Sequence, residues 1–401
     1  MHRIRPKKTM CSATLTRAKR RTPDPAPRGT QRKPRDARRS RHFRRLPAFI
    51  LAVLLVLALG SACRKETPAA SSEAAGEKPA HAEAPPAEPF AAAFFIPGFV
   101  EGSPNYEMLV KGGERAAAEA SNVTTKVVEA GFNAAEWEQQ LTSLAASGEY
   151  DVIVTSNPAM PAICAAVASK FPLQKFIVID GFLEGNPQIH TVIFNQVEQG
   201  YLVGYMAGLI TTGDMPGANR DLKVGLIAGQ QYPVMDQAIR PGFEMGLHAV
   251  DPDIRLDFRV VGNWYDAGKA SNLASSMFDA GVDAILVIAG SAAQGVLTEA
   301  RERGRYVLWF DSNGYDLAPG TVVGSSAIHL ADATAETLQE AIGGTLSYGT
   351  ARKLDVRDGY IEFITDDPLF RENVPEELQE KMDQVMARFR SGDISFAMPG
   401  L

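Results

Sequence analysis

The chain has 401 residues and a net charge of −6 that joins two opposite parts: residues 1–45 hold 17 Lys/Arg against 2 Asp/Glu, and residues 64–401 hold 24 against 45. An acidic body speaks against a nucleic-acid or anionic-membrane surface, and the basic head lacks the aromatic interleaving and helical period of a nucleic-acid arm. Of Cys11, Cys63 and Cys164 only the last lies in the body, so no disulfide staples it; a body above about 250–300 residues divides into two domains.

In chain order, the first feature is Leu46–Cys63, LPAFILAVLLVLALGSAC, which follows Arg44 and Arg45. A positive flank, an apolar core and small residues beside a processing point read as a secretory signal. The run is short for a membrane span, which needs about 20 apolar residues. Ending on cysteine makes it similar to a bacterial lipoprotein signal, with Cys63 lipidated (a palmitate-type anchor) and becoming the mature N-terminus. Gly60 stands where such signals carry leucine. Cleaved soluble export and an uncleaved anchor are the alternatives. Residues 1–62 are thus read as a basic head plus signal peptide, Met1–Arg45 being an overlong signal head or an upstream start. Residues 63–90, rich in Ala, Pro, Glu and Ser, are read as the lipidated cysteine and a disordered tether.

From Ala91 the pattern turns to short Val/Ile-rich strands alternating with helices. Strands are predicted at 91–96, 125–130, 151–155, 175–180 and 191–194, with helices at 106–120, 134–146, 161–170 and 201–211. Gly204, Ala207 and Gly208 are expected to let the last helix pack closely on a sheet. Thr212–Asp221 is a break, after which the rhythm restarts: strands at 222–227, 255–261, 284–288 and 306–310, helices at 237–250, 267–280 and 292–303. A strand at 321–326, a helix at 331–342, a strand at 357–363 and a helix at 375–391 complete the chain. This alternation predicts an α/β fold with parallel sheets covered on both faces. Cys164, in an apolar stretch, reads as core.

Ligands of open α/β sheets sit outside the carboxyl ends of the strands. Those ends supply glycine, aromatic, amide and carboxylate groups and few Lys or Arg, which suits a neutral, hydroxylated or ring-bearing small molecule and disfavours phosphate. Asp311, directly after Tyr306–Phe310, is the leading candidate. Asn157, Gly290 and Asn313 come from other strand ends, and Phe99, Tyr106, Tyr232 and Trp264 are candidate stacking rings in loop-like sequence. Each has a plain alternative as a cap, turn or core residue. Neither a GxSxG, an HExxH nor a phosphate loop is present, and the histidines have no metal spacing. No enzyme, cofactor or metal is called for.

The stretches FNQVEQGYLVGYMAGLIT (194–211), KVGLIAGQQYPVMDQAIRPGFEMG (223–246), VGNWYDAGKA (261–270) and IAGSAAQGVLTEAR followed by LWFDSN resemble the basic membrane protein family of ABC-transporter substrate-binding lipoproteins, whose members include purine nucleoside receptors of spirochaetes. The resemblance runs from about Ala93 to Leu401. It implies a type I periplasmic-binding-protein fold, two Rossmann-like lobes around a ligand cleft joined by three chain crossings, with 91–213 plus 318–350 in lobe 1 and 214–317 plus 351–401 in lobe 2. It makes Asp311 the carboxylate that holds sugar hydroxyls and Gly290 a cleft-wall glycine. Ile96 stands where the family has a base-reading aspartate. Asn105 or Tyr106 takes the ring position, and His329 falls where the family has a lysine, so the ligand site has diverged.

The expectation is an exported, membrane-anchored, monomeric lipoprotein that captures a small polar solute, a nucleoside or a related ring-bearing hydroxylated molecule, and presents it to an ABC permease. A surface sensor without a transport role and an exported enzyme are the rival readings.

Overall fold

The computed structural model describes residues 89–399. The basic head, the signal segment, Cys63 and the tether up to residue 88 lie outside the described residues. Phe90, expected at the end of the tether, instead opens the first strand, paired with Val123.

The first lobe begins β1 (Phe90–Ile96), α1 (Pro104–Glu119), β2 (Val123–Glu129), α2 (Ala134–Ala146), β3 (Val152–Ser156), α3 (Met160–Ala168), β4 (Lys175–Ile179) and β5 (Ile189–Phe194). Then follow α4 (Gln196–Thr212), β6 (Lys223–Ala228), α5 (Arg240–Val250), β7 (Arg255–Val260), α6 (Ala267–Asp279), β8 (Ala284–Ile288), α7 (Ala293–Arg303) and β9 (Tyr306–Asp311). The last elements are β10 (Val322–Ile328), α8 (Leu330–Ile342), β11 (Ala351–Leu354), β12 (Ile361–Phe363), α9 (Pro368–Asn373) and α10 (Glu376–Ser391).

The strands form two six-stranded sheets, ordered β2-β1-β3-β4-β5-β11 and β7-β6-β8-β9-β10-β12. All neighbours are parallel except β12, which runs antiparallel to β10. Each sheet reverses its order beside its first strand, between β1 and β3 and between β6 and β8, which opens a crevice at the carboxyl edge. This is the two-lobe architecture of the type I periplasmic-binding-protein fold.

Parallel strands covered on both faces must be apolar on both, and β1 illustrates it. Ala92, Phe94 and Ile96 enter one core, with Ile177, Val192 and Leu109. Ala93 and Phe95 enter a second one under α2 and α3, with Trp137, Leu141, Val178 and the fully buried Cys164. The thiol, pushed up by burial, is inert packing.

Lobe membership differs from the expected boundaries at three places. Strand β10 pairs with β9 and so lies in the second sheet, whereas β11, which had no sequence prediction, pairs with β5 in the first. Between these two departures lies helix α8, which packs against α1 inside the boundary drawn for the first lobe. The third departure is α4, which begins at Gln196, five residues before the expected start, and packs on α5 and the second sheet. Its glycines meet a helix and not a sheet: a Cβ on Gly204 would lie 2.1 Å from Phe243 O, and one on Gly246 2.2 Å from Tyr201 O. The crossings therefore fall at Asn195, at His329 and between Leu354 and Ile361. The expected strand at 357–363 is real only at its end.

Among the described residues no helix is long and apolar enough to cross a membrane.

Candidate functional site

Both sheets turn their carboxyl edges to the same crevice, and the side chains that meet there are carboxylates, amides and rings. Asp311 ends β9 at φ 70°, a left-handed conformation that L-residues other than Asn and Asp rarely take. Its Oδ2 accepts from Asn105 Nδ2 of α1 at 3.2 Å, a bond from the first lobe to the second. Its Oδ1 accepts from Gln199 Nε2 of α4 at 3.1 Å. Asp180, just after β4, is also left-handed at φ 58°, and accepts from Gln196 Nε2 at 3.5 Å. Asn157, after β3, has φ 137°. Three of the five described non-glycine residues with positive φ thus stand at strand ends. Such strain persists where surrounding contacts over-determine it, and it collects at ligand sites.

The rings frame these groups. Tyr106 donates its hydroxyl proton to Pro97 O at 3.2 Å and accepts from Asn157 Nδ2 at 3.4 Å. Tyr232 and Trp264, on loops after β6 and β7, lie 6.0 Å apart between centroids. Two glycines seat the indole. A Cβ on Gly229 would fall 2.5 Å from Trp264 Cε3, and Gly290, at φ 56°, brings its backbone within a Cβ distance of 3.0 Å of Trp264 O. That carbonyl accepts from Ala292 N and Ser291 Oγ, each at 3.1 Å.

Burial dominates the electrostatics. Asp180 is pushed up to about 7, first by desolvation and then by the Asp311 charge. Asp311 is raised by desolvation, with the Asn105 and Gln199 hydrogen bonds opposing. The Tyr106 hydroxyl is pushed up to about 12, chiefly by burial. Tyr232 is raised well above its ordinary value by burial and by both carboxylates. No Lys, Arg or His is among the groups that set these shifts.

A family model described as ABC transporter substrate-binding protein PnrA-like matches residues 90–394, the whole of both lobes. The chain belongs to that family. Among its relatives, the CD4+ T-cell-stimulating antigen of Listeria monocytogenes is 29% identical over 157 residues, 39% of this chain and 42% of the relative. The ABC transporter nucleoside-binding protein BmpA of Lactococcus lactis is 28% identical over 137 residues, 34% of this chain and 36% of the relative. The chain thus matches less than half the length of these two relatives. Among solved structures, an ABC transporter solute-binding protein of Aeropyrum pernix shares the fold with a TM-score of 0.64, 20% identity, and coverage of 78% of this chain and 94% of that one. The family is described as one of ABC-transporter substrate-binding proteins.

Of the predicted residues, Asp311 meets Asn105, Tyr106 meets Asn157, and Trp264 meets both Tyr232 and Gly290. Three others stand apart from these contacts. Phe99, 47% exposed, packs edge-on against Phe132 at 5.2 Å, and Phe132 meets Tyr265 of the other lobe at 6.0 Å, forming an aromatic rim. Asn313 donates to Asp367 Oδ2 at 2.7 Å and accepts from Tyr315 N, a local brace. His329 sits at the second crossing, its Nε2 3.1 Å from Glu362 Oε1 and its Nδ1 3.5 Å from Asp332 Oδ2. The other two described histidines bond to backbone away from these carboxylates, His190 Nδ1 donating to Ser347 O at 2.8 Å and His248 Nε2 to Ile254 O at 3.2 Å. No described histidine therefore joins the carboxylates as an acid–base pair.

Sequence reasoning missed Asp180, Gln196 and Gln199 as site residues. For Asp180 the signal was present, a carboxylate at a strand's carboxyl end like Asp311. For the glutamines it was two amides three residues apart, flanking Glu198, in the first turn of a helix that is apolar beyond it.

Proposed function

We propose that the chain is the solute-capturing component of an ABC importer: an exported lipoprotein, anchored through Cys63, that closes two lobes over one small polar molecule and offers the closed form to a permease. The observation that carries this reading is the Asn105–Asp311 hydrogen bond, in which a first-lobe amide reaches a second-lobe carboxylate across the crevice. A group shared between lobes couples occupancy to closure, because a ligand that bridges the same atoms favours the closed population. Asp311, Asp180 and the four amides orient the solute, and Tyr106, Tyr232 and Trp264 cover its apolar faces. The Lactococcus relative is described as nucleoside-binding, and a nucleoside is one candidate. Against it, Ile96 stands at the end of β1, where the resemblance expects a base-reading carboxylate. The anchor has its own check: a Cys63→Ser variant loses incorporation of radiolabelled lipid, and retained labelling contradicts it.

Thermal-shift screening of nucleosides, bases, sugars and small vitamins, with mass spectrometry of what copurifies, tests the function. A stabilising solute is expected, and Asp311→Ala is expected to weaken its calorimetric affinity at least tenfold while leaving the protein folded. Unchanged affinity in that variant contradicts the assignment.

A further inference from the structure

We infer that the crevice is built for an organic cation, an amine carrying an aliphatic or aromatic body, and not for an anion or a neutral polyol. This rests on the solute-capture reading above and narrows its ligand. Two carboxylates from opposite lobes, Asp180 and Asp311, face the same space. Among the described residues, the only side chains that donate to them are neutral amides: Gln196 to Asp180 at 3.5 Å, and Asn105 and Gln199 to Asp311 at 3.2 and 3.1 Å. No described Lys, Arg or His donates to either carboxylate or appears among the groups that shift it. His329, the basic residue that the sequence offered to the site, is committed to Glu362 and Asp332.

The independent observation is Gln199. Its side chain is wholly buried, and while Nε2 is spent on Asp311, Oε1 has no hydrogen-bond partner among the described residues. A buried acceptor left unpaired is costly and calls for a donor. Aromatic rings accompany these groups: Tyr232 and Trp264 lie 6.0 Å apart, and the Tyr106 hydroxyl accepts from Asn157. Paired carboxylates, a spare buried acceptor and aromatic faces have one complement in common, a positively charged N–H or N-methyl group. An anion meets repulsion from both aspartates. A neutral polyol satisfies Gln199 but brings no positive charge to offset the carboxylates.

The test is calorimetry on the full chain with matched pairs of probes: tyramine and tyrosol, putrescine and 1,4-butanediol, choline and 3,3-dimethyl-1-butanol, with inosine and glucose alongside. At least one amine is expected to bind tenfold or more tighter than its neutral partner. Its affinity is expected to fall at least threefold from pH 8 to pH 6 as Asp180 takes up a proton. The groups facing Asp180 are Asp311 from β9, Gln196 from α4, Tyr106 from α1 and Tyr232, and Asp180 is the one whose raised value lies in that window. Asp180→Asn is expected to abolish the preference, and Asp180→Glu to retain it. An Asp311-dependent neutral binder, with every amine failing, overturns the cation class and leaves solute capture standing. Failure of all probes, together with native mass spectra free of any copurified small molecule, overturns both.

Discussion

Asp180 carries the clearest cost of the site. Its carboxyl, raised from 3.8 to about 7, binds its proton more tightly in the folded chain than in the unfolded one. Stability from that proton is therefore full below about pH 4 and lost as pH rises through about 7. With partial solvent access at Asp180, the expected contribution is about 1–2 kcal/mol. Asp180→Asn should thus unfold at higher urea than the parent at pH 8, with little difference at pH 4, an exchange of stability for binding seen when functional groups are removed. Equal midpoints at pH 8 would count against the burial account. At this scale the sequence was legible where chemistry and position coincide: Asp311 follows an apolar strand directly, and Asn157 and Trp264 follow theirs. It was not legible for Gln199, because neither spacing nor composition tells which face of an apolar helix meets a crevice made by residues 112 positions away. Nor does it reveal that the amide of Asn313 and the ring of His329 are taken by Asp367, Glu362 and Asp332.

At the scale of elements, α4 and α5 pack through glycines on both partners. Gly200, Gly204, Gly242 and Gly246 each bring backbone within 2.1–2.5 Å of where a Cβ would stand. Helix propensity alone would make Gly204→Ala a gain of about 1 kcal/mol; the contact with Phe243 O reverses the sign. Overpacking of a rigid backbone contact costs typically about 1–3 kcal/mol, so Gly204→Val should lower the chemical unfolding free energy by about 3 kcal/mol. A stabilised variant would refute the close approach. Glu198, one turn earlier and buried, accepts from Val356 N at 3.1 Å and Phe396 N at 3.2 Å, tying the third crossing and the C-terminal segment to α4. Glu198→Ala strands both donors and should cost about 2–4 kcal/mol by urea titration. The strand–helix alternation was readable in nearly every element. The swap of β10 and β11 between sheets was not, because a strand's period names its partners only after the topology is known.

For the whole molecule, three chain crossings join the lobes, and His329 stands at the second. It is held by Glu362 of the second lobe and Asp332 of the first, the latter also paired with Arg115 at 2.7 Å. Glu362 first, and Asp332 after it, raise the imidazole above 6.5 despite partial burial. Its contribution is full below pH 6.5 and lost as pH rises through the raised value, and partial exposure keeps it under about 1 kcal/mol. His329→Gln should therefore lower the melting temperature at pH 6 and leave it unchanged at pH 9; an equal loss at both would remove the charge from the explanation. Two lobes from one repeated pattern were visible in the sequence as the restart after Thr212–Asp221. That α4 rides with the second lobe was not, since a helix beside a break is claimed by whichever glycine face finds a partner.

Solute capture between the lobes, centred on Asp311, is most directly tested by native mass spectrometry of the chain purified from expressing cells, beside Asp311→Ala. The expected spectrum shows one small-molecule adduct per chain in the parent, released by unfolding and missing from the variant. Bare masses for both, or the same adduct on both, would contradict it.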